Sequence, residues 1–321
     1  MKLLLTGVAG FIGSHLADAL LQRGDQVVGL DNFNDYYDPA LKKLNLASAL
    51  SREGFRLVRG DIRDRKLLSE LFPRENFDAI IHLAARAGVR PSLQDPLLYQ
   101  DVNVAGTLSL LEAARFHGVS QVLFASSSSV YGENPRLPWK ESDLLVEPIS
   151  QYGATKLMGE HLCRVYHRTY GLRITAYRFF TVYGPRQRPD MAIHKFTRMI
   201  QDDEPLPFYG DGSSIRDYTF IDDIVAGLLL GLDSDIPFAV FNLGGGHSIT
   251  LSDLVEKIGH LLGKPVLLNR LPYQKGDVPA TLADISLARE YLGYSPETPL
   301  EEGLRIFVDY FCRREDPPGD R

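Results

Sequence analysis

Short apolar runs alternate with longer amphipathic stretches through the first 180 residues of the chain. The runs lie at residues 2–6, 26–30, 56–59, 79–85, 121–125 and 173–179, and their length is typical of buried β-strands. Helices are predicted at residues 14–23, at 97–116 and at about 152–170. Strands that alternate with helices in this way predict a parallel sheet with helices on both faces. We therefore expect a doubly wound α/β fold.

The regular alternation ends after residue 180, and a second pattern follows. Residues 181–216 are rich in proline, glycine and charge, with one predicted helix at 193–201. A helix at 221–232 and a strand at 239–243 return to the sheet, and helices are predicted at 251–262, 285–292 and 300–311. We predict a sheet domain of residues 1–180 plus about 217–244, and a smaller C-terminal α/β domain of about 181–216 plus 245–321.

The composition is that of an ordinary globular protein and narrows the functional classes. The chain has 321 residues, 44% of them hydrophobic, and a net charge of −6, which argues against a broad nucleic-acid-binding surface. Cys163 and Cys312 are far apart and predict neither a disulfide framework nor a metal site. No apolar run approaches the ~18 residues of a membrane span. We expect a cytoplasmic protein that binds no membrane, nucleic acid or metal.

A glycine-rich turn joins the first predicted strand to the first helix. Gly7, Gly10 and Gly13 are spaced three residues apart, and Phe11 and Ile12 lie between the last two. In such a turn the first glycine permits a tight bend, the second lets a pyrophosphate approach the backbone, and the third packs helix on strand. The N–H groups that begin the helix attract phosphate. This region predicts a dinucleotide-binding site of the Rossmann type.

The end of the second strand predicts which dinucleotide binds. Asp31 follows the glycine turn by roughly 20 residues, the position from which an acid accepts a hydrogen bond from a ribose hydroxyl. Asn32 follows directly, and no arginine comes next to receive a 2′-phosphate. Because an acid repels that phosphate, NAD is favoured over NADP.

Further cofactor-binding residues are expected at the carboxyl ends of neighbouring strands, where ligands of such sheets bind. Asp61, after the third strand, either accepts a hydrogen bond from the adenine amino group or caps the next helix. The small Ala84 and Ala85 leave room for a cofactor at the end of the fourth strand. The predicted cofactor-binding residues are Gly7, Gly10, Phe11, Ile12, Gly13, Asp31, Asn32, Asp61, Ile62, Leu83, Ala84, Ala85, Asn103, Tyr152 and Lys156.

Tyr152 and Lys156 are four residues apart and therefore lie on one face of the predicted helix. A phenol titrates near pH ~10 and is a poor base at neutral pH. A neighbouring ammonium, or the cation of a bound cofactor, favours the phenolate and lowers its pKa. The pair is therefore suited to moving a proton to and from a substrate hydroxyl.

Over nearly its whole length the chain resembles an extended short-chain dehydrogenase/reductase of the NAD-dependent sugar epimerase/dehydratase family. The motifs that carry the resemblance are TGxxGFIG at residues 6–13, DxxD at 61–64, HLAA at 82–85, SSxxVYG at 126–132, YxxxK at 152–156, YGPR at 183–186 and RDY at 216–218. The resemblance implies a catalytic triad of Ser127, Tyr152 and Lys156. In it Ser127 hydrogen-bonds the reacting hydroxyl, Tyr152 is the base, and Lys156 holds the nicotinamide ribose and lowers the pKa of Tyr152.

The segments around the triad predict the reaction. The 4,6-dehydratases of the family carry Asp-Glu where this chain has Ser128 and Ser129, so dehydration is disfavoured. Residues 86–90, 179–192 and 276–280 instead resemble enzymes that epimerise UDP-glucuronate. The resemblance implies conversion to UDP-galacturonate through a transient 4-keto sugar, with tightly bound NAD regenerated each cycle. The alternatives are a 4-epimerase of the UDP-glucose/UDP-galactose type, a UDP-glucuronate decarboxylase and, in a different class, a non-catalytic NAD(H)-sensing protein.

The substrate is expected to meet charged and hydroxyl side chains. We hypothesise that Thr181 and Arg188 grip the uronate carboxylate, with Arg186 as the second choice, because an arginine fork suits a carboxylate. The resemblance places Arg216 on the diphosphate and the long helices at 97–116 and 152–170 in a homodimer interface. The predicted substrate-binding residues are Ser127, Ser128, Ser129, Thr181, Arg186, Arg188, Arg216 and Asp277.

Overall fold

The computed structural model describes residues 1–143, 147–273 and 278–315. The strands are β1 (Lys2–Thr6), β2 (Gln26–Asp31), β3 (Phe55–Arg59), β4 (Ala79–His82), β5 (Gln121–Ser127), β6 (Arg173–Phe179), β7 (Thr181–Tyr183), β8 (Leu206–Tyr209), β9 (Ile215–Phe220), β10 (Phe238–Leu243), β11 (Ser248–Thr250) and β12 (Leu268–Leu271). The α-helices are α1 (Phe11–Gln22), α2 (Pro39–Asn45), α3 (Ala47–Leu50), α4 (Arg65–Glu75), α5 (Val89–Gln94), α6 (Pro96–Tyr99), α7 (Gly106–Phe116), α8 (Gln151–Tyr170), α9 (Ala192–Gln201), α10 (Ile221–Leu232), α11 (Leu251–Leu262), α12 (Ser286–Leu292) and α13 (Leu300–Glu315). A π-helical segment spans Gln100–Ala105, and a 3₁₀ turn spans Ser128–Tyr131.

Seven parallel strands form the central sheet of the described chain, in the order β10-β6-β5-β4-β1-β2-β3. The strand order reverses between β1 and β4, which pair in parallel with Thr6 opposite His82. Such a switch point opens a crevice at the carboxyl ends of the strands. The predicted doubly wound α/β fold is confirmed, and its crevice lies where the glycine turn leaves β1.

Side chains alternate between two hydrophobic layers, one on each face of the sheet. In β1, Leu3 and Leu5 belong to one buried cluster, whereas Leu4 belongs to the other. β4 follows the same alternation, with Ile81 in the first cluster and Ile80 in the second. Both faces are covered, which explains why the central residues of these strands are apolar.

Three predicted boundaries differ from the observed ones. Helix α1 begins at Phe11, not at residue 14, because the chain turns helical directly after the extended Gly10. β4 ends at His82, and Ala84 lies in the loop, where its N–H donates to the Thr6 hydroxyl. The helix predicted at 97–116 contains the π-helical segment, so Asn103 sits on a locally widened turn.

Two small sheets lie where the sequence pattern predicted loops, and the helix predicted at 193–201 is present as α9. β9 pairs in parallel with β7 and antiparallel with β11, and β8 pairs in parallel with β12. These strands have three to six residues and are separated by glycines and prolines, so their periodicity is too short to detect. The division of the chain into two domains stays a prediction.

Candidate active site

A cavity of about 460 Å³ opens at the carboxyl ends of the central strands. Predicted cofactor-binding residues from the glycine turn, from β2, from the segment after β3 and from the loop after β4 line it together with α8. Its lining includes Gly7, Gly10, Phe11, Ile12, Gly13, Asp31, Asn32, Asp61, Ile62, Leu83, Ala84, Ala85, Ser127, Ser128, Ser129, Tyr152, Lys156, Thr181 and Arg188.

The glycine turn forms the floor of the cavity. Gly7 has a φ of +73°, and a Cβ there would lie 2.8 Å from the backbone nitrogen of Ala84. A Cβ on Gly13 would lie 2.2 Å from the carbonyl oxygen of Gly7. Only glycine fits at either position, and the first turn of α1 is thereby held against the end of β1. The N–H groups of that first turn have no partners within the helix and are suited to binding phosphate.

Asp31 closes the cavity wall at the end of β2. Its two carboxylate oxygens accept hydrogen bonds from the N–H groups of Phe33 at 2.8 Å and Ala9 at 3.0 Å. Burial raises the pKa of Asp31, while these two backbone bonds and the charge of Lys42 oppose that rise. The carboxylate is therefore fixed in orientation and keeps lone pairs for a ribose hydroxyl.

Asp61 forms a polar group with Asn32 and Arg63. Its carboxylate accepts from the Asn32 amide at 2.8 Å and from Arg63 Nε and Nη2 at 2.9 and 2.8 Å. Hydrogen bonding by Arg63 lowers the pKa of Asp61 to about 2. Asp64, not Asp61, caps α4 by accepting from the N–H of Leu67. The capping alternative for Asp61 is therefore wrong.

The segment after β2, a loop that leads into the short helix α2, contributes side chains that the sequence pattern did not single out. Tyr36, Tyr37 and Lys42 all line the cavity. Lys42 is buried and donates to the carbonyl and side-chain oxygens of Asn34 at 2.7 and 3.1 Å. The segment has no strand or helix periodicity, so no sequence signal marked these residues.

Asn103 does not line the cavity but holds the loop that does. Its side chain accepts from the N–H of Arg86 at 2.8 Å and donates to the Arg86 carbonyl at 3.0 Å. It also donates to the Thr155 hydroxyl on α8 at 3.0 Å. Its placement connects the loop after β4 with the helix that carries Tyr152.

Ser127, Tyr152 and Lys156 meet at the carboxyl end of β5. Lys156 is 5% exposed, and its Nζ donates to the carbonyl of Ala125 at 2.7 Å. That Nζ lies 5.9 Å from the centre of the Tyr152 ring. The Ser127 hydroxyl donates to Ser129 Oγ at 3.2 Å and accepts from the Ser129 N–H at 3.1 Å.

Burial dominates the titration of both residues of the helix pair. Burial raises the pKa of Tyr152, while the hydrogen bond with Ser127 and the charge of Arg188 oppose that rise. Burial lowers the pKa of Lys156 to about 8. Tyr152 is therefore a neutral phenol at neutral pH.

Arg188 lines the cavity and pairs with Asp190. Its Nε and Nη2 each donate to the Asp190 carboxylate at 2.9 Å. The guanidinium carbon lies 5.5 Å from the centre of the Tyr36 ring, and the Tyr36 hydroxyl donates to Asp190 at 3.4 Å. Although burial disfavours its charge, the bonds with Asp190 hold the pKa of Arg188 above its ordinary value.

Arg186 and Arg216, which are also predicted to bind the substrate, make other contacts. Arg186, in the left-handed conformation with φ +63°, points to α1, where its Nη1 lies 2.8 Å from Asp18 Oδ2. Arg216 donates to the carbonyl oxygens of Ile215 at 2.9 Å and Pro279 at 3.4 Å. Neither lines the cavity as described. Asp277 lies outside the described residues.

The residues around this cavity fit NAD. A Cβ would fill the cradle at Gly7 and Gly13, which leaves backbone where a pyrophosphate approaches. The Tyr37 hydroxyl is buried and finds no hydrogen-bond partner among the described residues. Asp31 presents a carboxylate, the group that suits a ribose diol.

A model of the family described as GDP-mannose 4,6 dehydratase matches residues 4–307. The chain belongs to this family, and the resemblance to extended short-chain dehydrogenase/reductases is confirmed. UDP-glucuronate 4-epimerase 1 of Arabidopsis thaliana is 45% identical over 97% of this chain and 76% of the plant protein. UDP-glucuronate 4-epimerase of Thermodesulfobacterium geofontis is 43% identical over 96% of this chain and 95% of the relative.

Two solved structures of UDP-sugar 4-epimerases are similar to this chain. UDP-glucuronic acid 4-epimerase from Bacillus cereus, in complex with UDP-glucuronic acid and NAD, superposes with a TM-score of 0.91 at 40% identity, covering 98% of this chain and 100% of that one. UDP-glucose 4-epimerase from Thermotoga maritima with UDP-glucose has a TM-score of 0.91 at 33% identity, with coverage of 98% and 100%.

Within residues 1–143, 147–273 and 278–315, no helix is both long and apolar enough to span a membrane.

Proposed function

We propose that this protein is an NAD-dependent 4-epimerase that interconverts UDP-glucuronate and UDP-galacturonate. The observation that carries the proposal is one cavity lined by a hydroxyl-activating pair, Tyr152 and Lys156, and by an arginine, Arg188, on its sugar side. Relatives that carry the name UDP-glucuronate 4-epimerase match nearly the whole chain at 43–45% identity.

Each member of the triad has one task. Ser127 hydrogen-bonds the C4 hydroxyl of the sugar and aligns it with the phenol. Tyr152 takes the hydroxyl proton and later returns it, because its phenol lines the same cavity as Ser127. Lys156 is buried with a pKa of about 8, so its ammonium is present at neutral pH and holds the nicotinamide ribose. A cation there favours the phenolate when the proton moves.

The cofactor is proposed to lie along the glycine turn. The N–H groups of α1 bind its diphosphate, Asp31 binds the adenine ribose, and Asp61 with Asn32 meets the adenine. Asn103 acts indirectly, by holding Arg86 and Thr155 in place. The chemistry that NAD supplies when bound is reversible hydride exchange with C4 of the sugar.

The carboxylate of the sugar must be held in a fixed orientation. In the 4-keto sugar this carboxylate lies β to the ketone, so carbon dioxide is easily lost. Thr181, Ser128 and Ser129 offer hydrogen bonds, and Arg188 offers a charged fork that Asp190 already holds in one orientation. We propose Arg188 for this role ahead of Arg186, since Arg186 is engaged with Asp18.

The diphosphate is proposed to meet Arg216. Its guanidinium donates to carbonyl oxygens, which leave its positive charge uncancelled. The second domain, residues 181–216 plus 245–321, is proposed to hold the nucleotide part of the substrate, and Asp277 retains its proposed contact with the substrate.

A homodimer through α8 and the helical stretch from α6 to α7 is also proposed. Large apolar side chains are exposed on these elements: Leu97 is 80%, Phe116 70% and Val165 53% exposed. Such patches favour a protein interface. We place the dimer in the cytoplasm, and no disulfide joins Cys163 and Cys312.

Product analysis tests the proposed function. The purified protein is incubated with UDP-glucuronate and, in a separate reaction, with UDP-glucose. The nucleotide-sugars of each reaction are then separated and identified. We expect UDP-galacturonate. A UDP-pentose would identify a decarboxylase, turnover of UDP-glucose alone would identify a neutral-sugar epimerase, and no product from either substrate would favour an NAD(H)-sensing protein.

A further inference from the structure

Glu160 occupies the position one turn after Lys156, on the same face of α8. It is 6% exposed and has no direct contact with the proposed reaction. One of its oxygens, Oε1, accepts a hydrogen bond from the hydroxyl of Ser126, the residue just before Ser127. Burying a carboxylate costs free energy unless it is paired and hydrogen-bonded. The partners of Glu160 therefore indicate which groups it holds in place.

Helix α8 contacts β5 at successive positions through successive turns. Lys156 donates to the carbonyl of Ala125 at 2.7 Å, and Glu160 accepts from Ser126. Tyr152 lies one turn before Lys156 on the same helix, and Ser127 directly follows Ser126 on the strand. The two contacts therefore fix the register of the helix against the strand that carries Ser127.

Arg178 compensates the charge of Glu160. It stands opposite Ser126 in the pairing of β5 with β6, and its Nε and Nη2 donate to the Glu160 carboxylate at 2.9 and 2.8 Å. The Arg178 and Glu160 side chains are 6% and 7% exposed. The Arg178 guanidinium also lies 4.7 Å from the centre of the Tyr131 ring, at the end of the turn that follows Ser127.

We propose that Glu160, through Ser126, is a positioning residue that sets the distance between the hydroxyls of Ser127 and Tyr152. A buried ion pair contributes little to stability compared with apolar side chains of the same size. The bond to Ser126 gives the pair a different task, because it fixes the backbone at the catalytic serine. Arg178 holds the carboxylate in place and cancels its charge, so that Glu160 does not disturb Lys156 four residues away.

The variant Ser126→Ala tests this proposal with little disturbance of the ion pair. It removes only the hydroxyl, whereas Ser126→Thr retains it and is expected to restore the activity. Ser109→Ala is the matched control. The Ser109 hydroxyl is buried like that of Ser126, but it donates to the carbonyl oxygen of Ala105, four residues earlier in the chain. Glu160→Gln is made as a second variant, with melting temperature recorded for all.

We expect kcat of Ser126→Ala to fall about 10- to 100-fold, since misplacing reacting groups by roughly 1 Å costs this much. KM for the UDP-sugar and the melting temperature stay near wild type, and the isotope effect of deuterium at C4 on kcat rises. Ser126→Thr and Ser109→Ala keep wild-type kcat. A kcat of Ser126→Ala within twofold of wild type would overturn the proposal, even if Glu160→Gln does not fold.

The inference rests on the proposed oxidation of a hydroxyl at Tyr152 but not on which UDP-sugar is bound. Wild-type turnover of UDP-glucuronate tests the proposed function. The ratio of variant to wild-type kcat, measured on whichever UDP-sugar the wild type converts, tests the positioning role. The two failures are therefore distinguishable.

Discussion

The two sides of the cavity are built differently. On the catalytic side, Lys156 and Glu160 are buried and bond to β5 or β6. The side that we propose binds the sugar, called the sugar side, is formed by Arg188 and Asp190 on one loop. The Arg188 side chain is 20% exposed and the Asp190 side chain is 42% exposed. We therefore propose that catalytic geometry is set by long-range contacts in a dry interior, and sugar recognition by a local ion pair near solvent.

This difference predicts unequal tolerance to change. Breaking a buried, hydrogen-bonded charge pair is costly because it leaves one charge unpaired. Solvated pairs contribute little stability, and water screens their loss. Variants on the catalytic side should therefore affect every substrate, whereas variants on the sugar side should affect the choice among substrates.

The largest effect is expected from Tyr152→Phe, which removes the proton-transferring hydroxyl from the catalytic side. General acid–base catalysis contributes about 100- to 10,000-fold, so kcat should fall by this factor for every UDP-sugar. Bound NAD and UDP-sugar affinity should be retained, which calorimetry checks. A kcat that falls only for the uronate would contradict the division between the two sides.

A smaller and selective effect is expected from Arg188→Ala. A hydrogen bond to a charged group contributes ~1.5–3 kcal/mol, or about 10- to 100-fold in kcat/KM for UDP-glucuronate. Turnover of a neutral UDP-hexose should change much less, and the fraction of decarboxylated product should rise.

Arg186→Ala is the matched control for Arg188→Ala, because its side chain points to Asp18 and not into the cavity. Kinetics with both sugars and product separation measure the contrast. Unchanged uronate turnover and product partition in Arg188→Ala would remove it from the carboxylate site.

The last effect is on stability and not on turnover, and it concerns His82, which lies between the hydroxyls of Thr6 and Thr107 at 2.8 and 2.9 Å. Burial, followed by the charge of Lys156, lowers the pKa of His82 to about 3 from 6.5. Between these two pKa values the unfolded chain binds a proton at His82 and the folded chain does not. The stability that neutral His82 contributes is therefore complete above pH 6.5 and is lost as pH falls.

His82→Gln should therefore flatten the pH dependence of the unfolding free energy. One pH unit corresponds to about 1.4 kcal/mol, so wild type should lose about 2–3 kcal/mol more than the variant over the first two units of acidification below the ordinary pKa. Denaturant unfolding at several pH values measures this. Parallel pH curves for the two proteins would show that His82 is not held neutral in the fold.

Most of the residues that the sequence predicts to bind the cofactor line one cavity, because the signals that mark them follow the strand pattern. Gly7, Asp31 and Ala84 each follow an apolar strand, and parallel strands bring their carboxyl ends to one edge. Arg186 and Arg188 are equivalent in sequence, but the left-handed backbone at Arg186 turns it toward α1. Tyr36 lies on a loop and Lys42 on the short helix α2, and neither segment is long enough to show a periodic pattern. The role proposed for Glu160 depends on Ser126 and Arg178, which only the fold brings to it.

The fate of the hydrogen at C4 tests the central claim most directly. UDP-glucuronate deuterated at C4 is converted in ordinary water, and the product is examined by NMR and mass spectrometry. If Tyr152 moves only the hydroxyl proton and the hydride stays within the site, UDP-galacturonate retains the deuterium at C4. Replacement of that deuterium by solvent hydrogen would contradict the account.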